Sequence, residues 1–200
     1  MTNKTQTPPK RLLMEIEQLL FGRECWYVAC GGCVGTSFQL ALGKRVQRAK
    51  VLTNPVASPD YRQFEGEFGL LVWCSWRLVR PGFGMTSSED EKDVRRDELL
   101  RSVSGRAIAD VDIRNDWQLW IKFDDQSELT VFADNVGPSA VIDTNWEAWS
   151  LKWRYSVTSE LDCVKEHRCR DFSERVMTVT VPASNKRKKL AGRRPQRQAI

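Results

Sequence analysis

Apolar residues in this chain recur at every second position in one segment after another, and that period commits most of it to antiparallel sheet. Trp26, Val28 and Cys30 alternate with Tyr27 and Ala29, and Phe38, Leu40 and Leu42 alternate with Gln39 and Ala41. Gly31-Gly32 lies between the two runs, so they read as a hairpin. Residues 108–113, 118–123 and 128–132 read as three more strands, the last two joined by a turn at Asp124-Asp125-Gln126. Phe68 to Val79 is almost continuously apolar, as in a strand buried on both faces, and Pro81-Gly82 stops it. Asn145 to Val157 reads as one half-buried strand and Met177 to Val181 as a short final one.

Helical spacing occurs twice. Leu12, Leu13, Ile16, Leu19 and Leu20 share one helical face, and Gly22 is placed to end that helix. A second helix carries Val94, Leu99, Leu100 and Val103, with Ser88 as the expected cap and Gly105 as the stop. Asn54-Pro55 and Ser58-Pro59-Asp60 mark a loop.

The two halves repeat an order of parts. Each has a Leu-rich helix running into Gly-Arg (22–23 and 105–106), then a hairpin, then a Trp-rich strand, so that Trp76-Arg77-Leu78 answers to Trp149-Ser150-Leu151. The expected fold is therefore α+β, with mostly antiparallel β-sheets and two short helices, built as two helix-plus-β-meander repeats. Each repeat alone would leave one sheet face uncovered, so the two should pack together. The expected division is a flexible lead at 1–10, a first repeat at 11–83, a polar linker at 84–93, a second repeat with a C-terminal strand at 94–182, and a disordered basic tail at 183–200.

Charge divides along the same lines. The net +5 is carried by the ends, because residues 12–184 hold 21 basic and 26 acidic side chains. A basic nucleic-acid-binding core is thereby disfavoured. The tail is different: Lys186, Arg187, Lys188, Lys189, Arg193, Arg194 and Arg197 stand in it with no acid, a pattern that binds phosphates without reading sequence. No apolar run reaches the ~18–20 residues of a membrane helix. The first eleven residues lack the apolar core of a secretory signal, so the expectation is a cytoplasmic protein with no membrane partner and with reduced thiols.

Candidate chemistry is sparse. His167 is the only histidine and sits among charges. Cys30 and Cys33 have C-x-x-C spacing, and with Cys163, His167 and Cys169 they would offer ligands for a structural zinc, although the second group is not a standard ligand pair. The competing reading is a glycine turn with incidental thiols and no cofactor. Gly31, Gly32, Gly35 and Thr36 lack the Lys and the following helix of a phosphate loop. The acids Asp124, Asp125, Asp134, Asp143 and Glu147 read as solvated turns and faces that could together present an acidic surface to a partner. Trp117 and Trp120, three apart on a strand, would face opposite sides, so that one of them is an exposed anchor.

Several clusters resemble an uncharacterised family of small β-rich bacterial proteins, some of them similar to the immunity proteins of toxin–immunity systems. They are the run 31–38 (GGCVGTSF), Gly66-Glu67 leading to Trp76-Arg77-Leu78, Trp117 to Phe123 with Leu129 to Asp134, and Asn145-Trp146-Glu147. The resemblance spans roughly residues 20–155 and rests mostly on core apolar residues, glycines and Trp. Neither the Cys30–Cys33 pair nor the tail belongs to it. It implies a non-enzymatic protein-binding module that covers a toxin or effector. The alternative expectation is a nucleic-acid-associated accessory protein acting through its tail.

Overall fold

A computed structural model describes residues 9–31, 36–55, 57–90, 94–134 and 143–168. The chain runs α1 (Lys10–Leu20), β1 (Glu24–Cys30), β2 (Phe38–Gln47), α2 (Pro59–Gln63), β3 (Phe64–Val72), β4 (Ser75–Arg80) and β5 (Gly84–Ser87). It continues through α3 (Val94–Arg101), β6 (Arg106–Ile113), a 3-10 turn (Asn115–Trp117), β7 (Leu119–Phe123), β8 (Glu128–Phe132), β9 (Thr144–Ser150), β10 (Trp153–Thr158) and β11 (Cys163–His167). The protein is mostly β. Its strands form one antiparallel sheet in the order β11-β10-β9-β3-β2-β1-β6-β7-β8-β4-β5.

The halves meet at β1 and β6, where only Glu24 pairs with Ala107 and Cys25 with Arg106. Two left-handed glycines frame this junction. Gly22 (φ +72°) donates its N–H to Ile108 at 2.9 Å, and Gly105 (φ +80°) donates to Cys25 at 2.6 Å. The sheet brings its inner faces into one core. Val28, Leu40, Leu42, Leu70 and Trp146 from one side join Val111, Ile121, Phe123, Leu129 and Trp76 from the other in a single buried cluster. Each indole crosses that core to a backbone oxygen of the opposite half. Trp76 donates to the Thr36 carbonyl at 2.7 Å and Trp146 to the Trp117 carbonyl at 2.9 Å. The helices cross over too: α1 packs on β6, β9 and β3, while α3 packs on β1, β4 and β5.

Several expectations are corrected. The apolar run Phe68–Val79 is not one strand. It breaks at Trp73-Cys74, whose two N–H groups both donate to the Asn145 carbonyl (2.8 and 3.2 Å), and β3 and β4 lie in different halves of the sheet. Asn145–Val157 likewise splits into β9 and β10 around Leu151-Lys152. The loop at 54–60 leads into a third helix, α2, where Ser58 Oγ accepts the Tyr61 N–H at 3.2 Å and Pro59 opens the first turn. The segment read as a polar linker begins with a strand, β5. Ser88 does not cap α3; it extends the β4–β5 pairing by accepting the Trp76 N–H and donating its own N–H to Trp76. The Met177–Val181 strand and the tail lie outside the described residues, as does the lead through residue 8. Among the described residues no helix is long and apolar enough to cross a membrane.

Candidate functional site

The outward faces of the two half-sheets differ. Register places Tyr27, Ala41, Gly69 and Trp149 in one outward row of the first half, and Gln39, Leu71 and Glu147 in the next. The β2–β3 connection covers part of this face: Tyr61 of α2, buried, stacks on Tyr27 with ring centroids 4.4 Å apart. The Trp149 ring covers Gly69, where a Cβ would come within 2.2 Å of it, so only glycine admits the indole there. Ala41 and Leu71 are buried beneath.

In the second half the β7–β8 connection is a tight turn with no such insertion. Its outward rows are Asp110, Lys122, Glu128, Val79, Met85 and Asp112, Trp120, Thr130, Arg77, Ser87. Val79 is 42% and Met85 60% exposed, directly opposite each other across β4–β5, and Phe83 at the hairpin tip is 60% exposed. Arg77 lies over the Phe132 ring at 5.7 Å. Trp120 is half-buried, donating to Glu128 Oε2 at 3.3 Å with Arg114 over its ring. This face combines an aromatic anchor, exposed apolar side chains and charges of both signs.

The expected acidic surface is dispersed. Asp124 accepts the Ala107 N–H at 3.2 Å, and Asp125 accepts the Ser127 N–H at 3.0 Å while pairing with Arg80 and Arg106, both at 3.4 Å. Burial works to raise the Asp125 carboxyl, but the Ser127 hydrogen bonds and the two guanidiniums hold it below its ordinary range. Asp134 sits beyond the other end of β8, taking the Ser75 N–H and hydroxyl at 3.3 and 2.9 Å. Asp143 accepts the Ser159 hydroxyl at 2.6 Å. Glu147 is on β9 in the other half, bonded to Ser156 at 3.2 Å, and burial raises its carboxyl. These acids close turns and tie strands, and no single patch gathers them. Trp117 is no surface anchor: it is 2% exposed, at φ +58° in the 3-10 turn, edge-on to Trp146. Trp120 is the outward-facing one of the pair.

The two halves of the zinc expectation stand apart. Cys30 is on β1, Cys163 and His167 are on β11, and four strands lie between. Cys33 and Cys169 lie outside the described residues, among which no cluster of three metal-ligating side chains occurs. The Cys30 thiol donates to the Asp97 carbonyl at 3.8 Å. Burial pushes it up to about 11, and pushes Cys25, Cys74 and Cys163 up to about 12, so all four are protonated thiols at neutral pH. His167 is exposed, edge-on to Trp153.

One residue that the pattern reading passed over organises this region. Asn145, 3% exposed, joins the ends of β8 and β10 to the β3–β4 crossover. Its Nδ2 donates to Asp134 O (3.1 Å) and Thr158 O (2.8 Å), its Oδ1 accepts the Asp134 N–H (3.1 Å), and its carbonyl takes Trp73 and Cys74. An Asn near the start of a strand carries no periodicity to betray this role.

Among the described residues, fold and surface together define a mostly β, single-sheet protein with one half-face covered and the other bare. Comparisons with protein-family models, curated proteins and solved structures find no match.

Proposed function

We propose that this chain is a non-enzymatic protein-binding module, of the kind that covers a toxin or effector, and that its partner docks on the outward face of β6-β7-β8-β4-β5. The observation that carries the reading is the contrast between the half-faces. The first is roofed by Tyr61 and Trp149, while the second leaves Val79, Phe83, Met85 and Arg77 at the surface on the face that also carries Trp120. Exposed apolar residues grouped on one hairpin, rather than scattered singly, suit an interface. The protonated thiols and the acids tied into turns suit binding better than catalysis. Titration calorimetry of the purified protein against the product of the neighbouring gene tests this. Stoichiometric binding that V79E/M85E abolishes and E147Q leaves intact is expected. No binding by the wild type would sink the module reading, and undiminished binding by V79E/M85E would sink this choice of surface.

We also read the chain as a duplicated unit. Exchanging β1–β5 with β6–β10 reverses the strand order without changing it, with β11 left as an addition. The paired hydrogen bonds of Gly22 and Gly105 and the paired indole bonds of Trp76 and Trp146 support this. On this reading the counterpart of Trp76 is Trp146, and Trp149 answers instead to Val79, three positions on in each strand. The outer hairpins of each unit attach to the other unit, which explains why the bare face combines β4–β5 with β6–β8.

The second functional reading, tail-mediated nucleic-acid association, draws on Lys186–Lys189, Arg193, Arg194 and Arg197, which lie outside the described residues. A mobility shift at low and high salt, with and without residues 185–200, decides it; equal retention by the full and shortened chains would end it.

A further inference from the structure

Strand β11 forms one edge of the sheet and buries little. Val164, Lys165, Glu166 and His167 are exposed and Cys163 is half-buried. Backbone pairing holds it to β10 over five positions, from Trp153–His167 to Val157–Cys163. Its side-chain contacts are chiefly ionic, and two of them are built sockets. Lys165 Nζ lies 2.6 Å from Glu15 Oε2, with the Trp153 and Tyr155 rings at 4.8 and 5.3 Å, and the Tyr155 hydroxyl donates to the same Glu15 oxygen at 3.0 Å. Arg168, just past the strand, places Nη2 2.7 Å from Glu65 Oε2 and Nη1 3.4 Å from the Ser150 carbonyl, with its guanidinium over Trp149. Arg48 approaches that same carboxylate at 3.7 Å. On the Arg168 face of the sheet, Glu166 pairs with Arg154.

The socket walls all belong to the body of the fold: Glu15 from α1, Glu65 from β3, Trp149 and Ser150 from β9, Trp153 and Tyr155 from β10. The strap supplies Lys165 and Arg168, while Arg11 of α1, 3.1 Å from Glu15 Oε1, and Arg48 are cations of the body on the same two carboxylates. A carboxylate with aromatic walls recognises a cation by charge and ring quadrupole together, and an edge strand recognises an extended segment by its backbone. We propose that the β10 edge and its two sockets, one on each face of the sheet, form a docking edge for an extended segment of a partner protein, one carrying Lys and Arg three residues apart, and that residues 163–168 occupy this edge in cis. The opposite edge of the sheet does not offer the same opportunity, because Asp90 Oδ2 accepts the outward Ser87 N–H at 2.8 Å. The inference does not rest on the docking face of the second half.

The test uses the full chain and a fluorescein-labelled synthetic peptide of residues 161–168, its cysteine replaced by serine. A tethered strap competes at an effective concentration of about millimolar, so emptying both sockets with K165A/R168A should tighten peptide binding at least about tenfold over the wild type. Adding E15Q, or raising salt, should weaken it again, and a peptide with both cations replaced by alanine should not bind. Failure of the folded K165A/R168A chain to bind the peptide would overturn the proposal. Hydrogen exchange on the unaltered chain keeps it falsifiable if that variant does not fold. The β11 amides are expected to exchange well before those of β3 and β9, and exchange of all three only on global unfolding would overturn it. A concentration-dependent wild-type dimer abolished by K165A/R168A would overturn it in favour of strand exchange between copies.

Discussion

Replacing Asn145 by alanine removes three side-chain hydrogen bonds at a position 3% exposed, and leaves the Asp134 N–H, the Asp134 carbonyl and the Thr158 carbonyl without that partner. Each bond is worth about 0.5–1.5 kcal/mol net, and each polar group left buried and unpaired costs about 1–3 kcal/mol. Some of these backbone groups will find water, so N145A should cost about 3 kcal/mol overall. For a chain of this size that lowers the melting temperature by about 6–12 °C. Urea unfolding followed by far-ultraviolet circular dichroism measures it, with an unchanged slope showing that the unfolded state is not what moved. A second substitution sharpens the test. N145D keeps the shape and the bond from the Asp134 N–H, but puts an oxygen against both the Asp134 and Thr158 carbonyls, where Nδ2 now donates. Its carboxyl should titrate above the ordinary range in the fold, so N145D should be costlier than N145A at pH 7 and should recover as pH falls through that raised pKa. A cost below about 1 kcal/mol for N145A, or an N145D deficit that ignores pH, would refute the role given to this residue.

Trp76→Phe and Trp146→Phe should cost similar amounts, about 2–3 kcal/mol each from a lost indole bond and lost contact area, whereas Trp120→Phe at the surface should cost under about 1 kcal/mol; chemical denaturation of the three ranks them. Two carboxyls should give pH effects of opposite sign. The Lys165 and Tyr155 hydrogen bonds lower Glu15 to about 2, so its stabilisation is complete above the ordinary carboxyl range and lost as pH falls from about 4.5 toward 2. Glu147 is raised by burial, so its ionisation opposes folding, and E147Q should leave the protein equally or more stable at pH 7 but not at pH 3. Thermal melts of E15Q and E147Q across pH 2–7 check both signs. In a C33S/C169S background the four remaining described thiols should react slowly with a disulfide reagent in the native state and rapidly in urea, since burial keeps them protonated.

What the sequence determined by itself is local. Period-two alternation placed the hairpin of β1 and β2 and the strands β6, β7 and β8, and period-3.6 spacing placed α1, because each pattern is written in neighbouring residues. The glycines at 22 and 105 marked two helix ends for the same reason. The two longest strand readings were the failures, one a continuous apolar run and the other an alternating one. Neither Phe68–Val79 nor Asn145–Val157 shows its break in composition; the first lies at Trp73-Cys74, where a distant carbonyl draws the chain aside. Only tertiary structure decided that each outer hairpin crosses to the other half, that Trp117 faces inward, and that Asp124 and Asp125 stand at one end of β8 while Asp134 stands at the other. Those outcomes depend on which strand edges meet, and hydrogen bonding between edges is nearly blind to side-chain identity. The bare face of the second half has the same origin. It is left over where the first half spends an insertion on a roof, and no residue within it announces that from its own position in the chain.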